Sequence, residues 1–218
     1  MLKVEQKDFL KLKDEEYENI KQSLAPLMEC LKNKKIMNTF QESIRLNKKR
    51  LYISLEALSI VNRTYSELNP KQYSLLILMN YLSFSEGFYS ELIQLISFLL
   101  LENHHDIYDP QKMEFAKRYN DLDKIPFFVK LKFIKKHDLK SVLTYFDRDL
   151  RNCIAHMNYS IDDKGIIIYK KTKLTKQQIW DKFKSLLEMS IKIFMALSDQ
   201  LITILKSIED IKSQSDKE

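Results

Sequence analysis

The sequence predicts an all-α protein, a helical bundle with one small β-hairpin. Only two glycines and four prolines occur among 218 residues. This scarcity argues against β-sandwiches, barrels and glycine-rich nucleotide-binding folds, which use glycine in turns and phosphate loops. Hydrophobic residues make up 44% of the chain, which is enough for a core. Apolar residues recur every three or four positions over most of the chain, as they do in amphipathic helices.

Residues 1–69 are expected to form an N-terminal helical extension. The apolar spacing predicts a charged helix over residues 4–24 and a longer helix over residues 27–66. The Asn69-Pro70 pair ends the second helix, because the residue before a proline is disfavoured in helical conformation. We therefore place the boundary with the following helical bundle, residues 70–212, at this point.

The most apolar segment, residues 71–103, is predicted to be a mostly buried helix. Its polar residues recur every three or four positions and form a narrow stripe. They interrupt the apolar run too often for a membrane span, which needs about 20 predominantly apolar residues. The polar stripe of this helix consists of Asn80, Ser83, Glu86 or Gly87, Ser90, Gln94 and Ser97.

Residues 104–126 are expected to be a connection with a short helix.

The remainder of the bundle is predicted as two helices, the hairpin and a final long helix. Gly165 suits the positive φ of a tight hairpin turn, and the β-branched run after it suits a strand. Thr175 has the side chain of a helix N-cap. The predicted bounds are 127–137 and 139–157 for the two helices, 159–161 and 166–169 for the strands, and 175–211 for the last helix, with a disordered tail over 213–218.

The cysteine content and the first residues indicate a cytoplasmic protein. Cys30 and Cys153 are too few for a disulfide framework or a zinc site. The N-terminal segment Met1–Asp8 is charged and has no apolar run of signal-peptide length. No membrane association is expected.

Positive charge is concentrated in one third of the chain. Residues 110–180 carry 16 basic and 8 acidic side chains, a net charge of +8, whereas the whole chain has +6. Two interpretations remain open. Lysines scattered over a solvated surface would produce this excess, and so would a binding region for a partner with phosphates.

A polar motif, Asp147-Arg148-Asp149-Leu150-Arg151-Asn152-Cys153-Ile154-Ala155-His156, lies within this basic third. On a helix, Asn152 and His156 share one face with Asp149. Phe146, Leu150, Ile154 and Met157 are expected to form the apolar stripe that faces the core. Arg151 lies off the line of His156, but its side chain is long enough to reach the same cleft. Asp147, four residues earlier, is expected to hold its guanidinium.

These residue types suit the cleavage of RNA by its own 2′-hydroxyl, a reaction that requires neither a protein nucleophile nor a metal. Histidine can take up and return a proton near neutral pH. Arginine stays charged and stabilises negative charge on phosphorus. A structural interpretation stays open, in which Arg151 pairs with Asp147 and His156 only caps the helix C-terminus.

The hexapeptide Arg151-Asn152-Cys153-Ile154-Ala155-His156 resembles the Arg-x4-His motif of the HEPN superfamily (higher eukaryote and prokaryote nucleotide-binding domains). The context over residues 71–210 is also similar, with a long apolar helix upstream and a hairpin and long helix downstream. The resemblance implies a helical bundle that forms a homodimer, with motifs from both subunits facing one cleft. It also implies that Arg151 and His156 are catalytic and that Asn152 positions RNA. Residues 1–70 resemble no family.

The resemblance favours a metal-independent endoribonuclease of a toxin–antitoxin, defence or RNA-processing system. RNA, a second copy of the chain and an antitoxin protein are then the expected partners, and no cofactor or metal is expected. Two other hypotheses stay open. One is a non-catalytic adaptor that binds nucleic acid or a nucleotide, and the other is a purely structural bundle.

Several further side chains are candidates for the same site. Tyr159 would stack on a base or simply pack the hairpin against the bundle. A metal site at His104, His105, Asp106 and Asp109 is a weaker alternative to ordinary histidines at a helix end. The predicted RNA-binding residues are Arg148, Tyr159, Lys170 and Lys171, and the predicted accessory residues are Glu86 and Asp147.

Overall fold

The structure is a computed structural model that describes residues 12–103, 107–109, 114–116 and 119–215. It confirms a predominantly helical protein with a small antiparallel sheet. The helices are α1 (Glu15–Leu24), α2 (Lys34–Thr64), α3 (Pro70–Phe84), α4 (Ser90–Glu102), α5 (Phe127–Lys136), α6 (Arg148–Ala155) and α7 (Lys176–Ser215). The strands are β1 (Ile107–Asp109), β2 (Glu114–Ala116), β3 (Ser160–Ile161), β4 (Ile167–Tyr169) and β5 (Thr172–Leu174).

A continuous helical rod of α3 and α4 forms the centre of the molecule. Asn69 and Gln72 make a capping box at its start, where the Gln72 N–H donates to Asn69 Oδ1 over 2.9 Å and the Asn69 N–H donates to Gln72 Oε1 over 3.1 Å. This arrangement satisfies backbone N–H groups that have no partner within the helix. The helix break that the sequence predicts at Asn69-Pro70 is therefore confirmed.

The rod is buried, as predicted for residues 71–103. By length and composition it is the one candidate membrane span among the described residues, with a mean hydropathy of 1.2 in its most apolar window, but 78% of that window is buried inside the protein. Side chains such as Leu78, Ile93 and Leu99 have no exposed surface. The apolar surface of the rod is thus covered by the other helices.

A single π-helical turn, Ser85–Tyr89, joins α3 to α4. This turn contains about one residue more than an α-helical turn. The side chains of α4 therefore point in different directions relative to those of α3 than they would in one regular helix. Such π-helical turns are rare, and many of those known lie at functional sites. Glu86, on this turn, has an exposed side chain.

The N-terminal extension packs on the bundle through one shared hydrophobic core. Tyr17, Ile20 and Leu24 of α1 belong to the same buried cluster as the rod and α7. At the edge of this contact, Lys192 of α7 donates hydrogen bonds of 2.7 Å to the carboxylates of Asp14 and Glu16. The ammonium is largely buried, with 7% of the side chain exposed. The predicted helix 4–24 begins at Glu15 here, and residues 4–11 lie outside the described part of the chain.

Two predicted helices are interrupted in the structure. The helix predicted over 27–66 is a 3-10 helix, Ala25–Lys32, followed by α2, because the backbone of Asn33 is extended. The helix predicted over 139–157 consists of a 3-10 turn, Lys140–Leu143, and the separate helix α6. Both breaks occur at a short polar side chain, Asn33 or Asp147, that accepts a hydrogen bond from a backbone N–H of the next helix.

The prediction of one hairpin as the only β-structure is wrong in two places. Strand β5 pairs with β4 and adds a third strand to the sheet, and β1 pairs with β2 within the segment predicted as a connection. The short helix expected in that connection is a 3-10 helix, Tyr119–Lys124. The last helix also continues through residues 213–215 of the predicted tail, and residues 216–218 lie outside the described range.

The turn between β3 and β4 docks on the start of the rod. Gly165 has a φ of +78°, which confirms the predicted positive φ. Its carbonyl accepts a 2.7 Å hydrogen bond from Ser74 Oγ, and a Cβ at this position would lie 2.6 Å from the Pro70 carbonyl oxygen. The predicted N-cap at Thr175 is also confirmed, because its Oγ1 accepts from the Gln178 N–H. The sheet therefore has a fixed position against α3.

We expect opposite effects from alanine at the two glycines of the chain. Gly165→Ala forces a left-handed backbone on alanine and a clash with backbone atoms, and should lower the free energy of unfolding by about 2–4 kcal/mol. Gly87→Ala should raise it by about 0.5–1 kcal/mol, because Gly87 is helical and nothing lies within 4 Å of the added Cβ. Urea unfolding followed by circular dichroism measures both. Equal destabilisation by the two substitutions would contradict the docking of the hairpin.

The contact between α1 and α7 should depend on pH. The hydrogen bond from Lys192 lowers the pKa of Asp14 below 3.8. Burial lowers the pKa of Lys192, but its hydrogen bonds to Asp14 and Glu16 outweigh burial and raise that pKa above 10.5. The contact of Lys192 with Asp14 therefore stabilises the fold fully between pH 3.8 and pH 10.5. This stabilisation is lost as the pH falls below 3.8 or rises above 10.5.

Lys192→Met should lower the free energy of unfolding at pH 7 by about 1 kcal/mol. The difference from the wild type should shrink as the pH falls below 3.8, because the Asp14 carboxylate then becomes protonated. Lys184→Met is the matched control, because Lys184 is exposed and lies 3.8 Å from Glu188. A difference that stays constant down to pH 3 would refute this account.

Candidate functional site

The motif helix α6 is short and begins at Asp147. The Asp147 side chain accepts a 2.9 Å hydrogen bond from the Leu150 N–H and so caps the helix N-terminus. Leu150 and Ile154 are buried as predicted, and Phe146 is half-buried just before the helix. The prediction that Met157 belongs to the same apolar stripe is wrong, because 74% of Met157 is exposed.

A Schellman-type turn ends the helix and explains the position of Met157. The Met157 N–H donates to the Ile154 carbonyl over 3.1 Å, and the Asn158 N–H donates to the Cys153 carbonyl over 2.9 Å. Met157 has a φ of +54°, which turns its side chain away from the core. The Cys153 thiol is buried and donates to the Asn158 carbonyl, and burial raises its pKa. Cys153 is thus a core residue, and its thiol is not activated.

Arg151 is held by two polar partners, and neither of them is Asp147. Its Nη2 forms an ion pair with Glu86 Oε1 on the π turn, and its Nη1 donates to Asn152 Oδ1 over 2.8 Å. Asp147 Oδ2 instead forms a 2.9 Å ion pair with Lys182 Nζ. The expectation that Asp147 holds the guanidinium is wrong, because capping directs its carboxylate toward the start of the helix and toward α7.

Glu86, predicted as an accessory residue, therefore comes into direct contact with Arg151. Glu86 is not buried, since 45% of its side chain is exposed. Its isolation was the signal in the sequence, because it is the only charged residue between Lys71 and Glu91. The extra residue of the π turn sets its position on the rod.

His156 lies at the C-terminal end of α6 with an exposed side chain. Its backbone N–H donates to the Asn152 carbonyl over 3.1 Å, so it follows Asn152 by one helical turn. Within the described part of the chain, its imidazole makes neither a hydrogen bond nor an ion pair. The position at the helix end matches the capping interpretation, but the ring is available to a ligand.

The other predicted RNA-binding residues surround α6 unequally. Arg148 lies with its guanidinium carbon 5.8 Å from the centre of the Phe128 ring. Lys170, in the turn between β4 and β5, forms a 3.1 Å ion pair with Asp149, and Lys171 beside it is exposed. Tyr159 is half-buried against the core, which matches its packing interpretation.

Two cavities flank the motif helix. An open groove of about 690 Å³ lies between the start of α6 and α7, and Arg148 and Lys182 are among the residues that line it. A smaller cavity of about 230 Å³ lies beside Arg151. Its lining residues are Pro126, Phe127, Phe128, Leu131, Phe146, Arg148, Arg151 and Asn152. The structure therefore places Arg151 and Asn152 together, whereas His156 does not line this cavity.

The sequence did not indicate the aromatic residues of the small cavity. Phe127 and Phe128 were predicted only as the start of a basic helix, because nothing in their spacing relates them to the motif. The weak metal candidate at His104, His105 and Asp106 lies outside the described residues, and the side chain of Asp109 is not described. Elsewhere, the described residues contain no group of three metal-ligating side chains.

Comparisons with protein-family models, with curated proteins and with solved structures found no match. The resemblance to the HEPN superfamily therefore depends on the Arg151–His156 motif and its helical context. The predicted activity, the partners and the cytoplasmic location stay predictions.

Substitution of His156 should separate a functional residue from a structural one. His156→Ala should change the free energy of unfolding by less than about 0.5 kcal/mol, since the ring is exposed and unbonded. Leu150→Ala is the positive control and should cost about 2–5 kcal/mol, because Leu150 is only 1% exposed. Thermal and urea unfolding measure both. A fall of several degrees in Tm for His156→Ala would support the purely structural interpretation of the motif.

Proposed function

We propose that the protein is a metal-independent endoribonuclease in which Arg151 and His156 act on the same phosphodiester. The observation that carries the proposal is the state of the two side chains. A guanidinium is fixed by Glu86 and Asn152, and an exposed imidazole without a hydrogen-bond partner among the described residues lies at the end of the same short helix. Cleavage by the 2′-hydroxyl requires a fixed cation and a proton carrier, and both residue types are present on this helix.

In the proposed reaction the 2′-oxygen of the RNA attacks the adjacent phosphorus. The 2′-hydroxyl loses its proton to an imidazole as the new P–O bond forms. The P–O5′ bond breaks, and the leaving 5′-oxygen takes up a proton from an imidazolium. The products are a 2′,3′-cyclic phosphate and a 5′-hydroxyl, and no water or metal is consumed. A homodimer, which the family resemblance implies, would supply two copies of His156 for the two proton transfers.

Arg151 keeps binding capacity after it is positioned. A guanidinium has five N–H donors, and the pairs with Glu86 and Asn152 involve only Nη2 and Nη1. The remaining donors can bind phosphate oxygens and stabilise the charge that develops on phosphorus. Glu86 and Asn152 are thus positioning residues in this proposal.

The surrounding charge suits a polyanionic substrate. Arg148 begins α6, Lys170 contacts Asp149 on it, and Lys171 follows Lys170 in the chain, all within the segment that carries the net charge of +8. Binding should weaken as salt rises, because each phosphate contact releases a condensed counterion. An antitoxin that covers the motif and a cytoplasmic location are further parts of the proposal.

A non-catalytic, RNA-binding adaptor is the second candidate. It is favoured by one observation, that His156 does not line the cavity beside Arg151. In that case the arginine would bind a phosphate and the imidazole would take no part in chemistry.

RNase activity in EDTA tests the proposal. Wild-type protein should cleave single-stranded RNA and leave cyclic phosphate ends. His156→Ala and Arg151→Ala should each lose about 100-fold or more, because each removes a group that acts in the transition state. Glu86→Gln should lose less, since Asn152 still contacts the guanidinium. Arg45→Ala, on the exposed side of α2, is the matched control and should retain full activity.

Equal cleavage by the wild type and both motif variants would refute the proposal, because it would indicate a contaminating nuclease. A protein that shifts several RNAs on a gel without cutting any of them would support the adaptor instead. End-group analysis distinguishes the proposed reaction from metal-dependent hydrolysis, which leaves no cyclic phosphate.

A further inference from the structure

The 230 Å³ cavity beside Arg151 has the composition of a binding site for a flat ring. Half-buried aromatic side chains line it, and the polar groups of Arg148, Arg151 and Asn152 converge on it. Its volume is below the roughly 300–1,000 Å³ of pockets that hold drug-sized ligands, so it suits a single small planar group. We propose that this cavity receives one unpaired RNA base next to the cleaved bond. This inference rests on the proposed function.

Two of the aromatic walls are fixed by their packing. Phe146 stacks on the buried Tyr89 with ring centres 5.1 Å apart, and Phe127 meets Phe146 edge-on at 5.4 Å. The Tyr89 hydroxyl donates to the Val142 carbonyl over 3.1 Å, which anchors the stack in the core. The cavity is therefore largely preformed and does not depend on a ligand to organise these rings.

Phe128 differs from these two rings because its described ring partners are cations. Lys132 Nζ lies 5.5 Å from its centre and the Arg148 guanidinium carbon lies 5.8 Å from it. Arg148 is exposed, so a base can displace its guanidinium from the ring or stack against it. Proteins bind unpaired bases by stacking on aromatic rings and on guanidinium planes in this way.

The polar rim can hold the edge of the base. The Asn152 Oδ1 accepts from Arg151, which leaves the Asn152 amide N–H groups for an acceptor on the base. Arg151 lines the cavity and, in the proposed function, also contacts the scissile phosphate. The bound base therefore belongs to a nucleotide that flanks this phosphate, and His156, outside the cavity, is left to face the reacting ribose.

The position of the base restricts the substrate. A base within a duplex is stacked and paired, so it cannot enter a half-enclosed cavity without being extruded. The site should therefore cleave single-stranded segments and loops and should spare paired RNA.

The test combines an abasic nucleotide with substitution of Phe128. On an RNA oligonucleotide that the wild type cleaves at one bond, removal of one flanking base should lower kcat/KM by about 10- to 100-fold, the range expected for one base–aromatic stack. Phe128→Ala should lose a similar factor on intact RNA and little more on the abasic RNA. Phe128→Leu keeps the apolar volume but lacks the aromatic ring, so it separates loss of stacking from loss of the fold. Tyr52→Ala is the control, because Tyr52 is a 58% exposed aromatic residue on α2.

Two outcomes overturn the inference while the proposed function stands. One is that the wild type cleaves abasic and intact RNA equally well at both flanking positions. The other is that the Phe128 variants remain as sensitive to the missing base as the wild type. If the wild type cleaves no RNA, the proposed function fails and binding decides the inference. Fluorescence of 2-aminopurine in a single-stranded oligonucleotide should then be quenched by the wild type and not by Phe128→Ala. Equal quenching by both, or none, would refute the cavity as a base site.

Discussion

Burial of the rod formed by α3 and α4 is the constraint on which the rest of the structure depends. Its side chains are mostly apolar, so folding must remove most of its surface from water. The extension, α7 and the sheet each cover part of this surface. Because the rod cannot turn within such packing, any polar group on it has a fixed direction. Glu86 is placed in this way, and through it the rod sets the position of the Arg151 guanidinium on α6.

The candidate site thus lies where the buried rod contacts the short motif helix α6. Arg151 is tied to the core through Glu86, whereas His156 ends its helix without a side-chain partner in the described part of the chain. A fixed cation and a free imidazole differ in what they contribute, since charge stabilisation needs a preorganised group and proton transfer needs a group that can meet its substrate.

Apolar spacing and capping residues predicted the bounds of three helical segments well. The rod, α5 and α7 begin and end within a few residues of their expected bounds, because apolar spacing and the caps at Asn69 and Thr175 are local signals. The breaks at Asn33 and Asp147 were missed, since a short polar residue within a helical pattern can either cap a new helix or point to solvent. The partner of Arg151 and the aromatic cavity depend on contacts between distant segments, which no spacing rule contains.

The contact between α1 and Lys192 has a consequence for how the protein matures. It joins groups that are 178 and 176 positions apart, so the segment that carries Lys192 must leave the ribosome before the contact can form. Contacts of such long sequence separation form late in folding, because the loop between them must be closed first. The packing of α1 on the bundle should therefore remain incomplete until α7 has been translated.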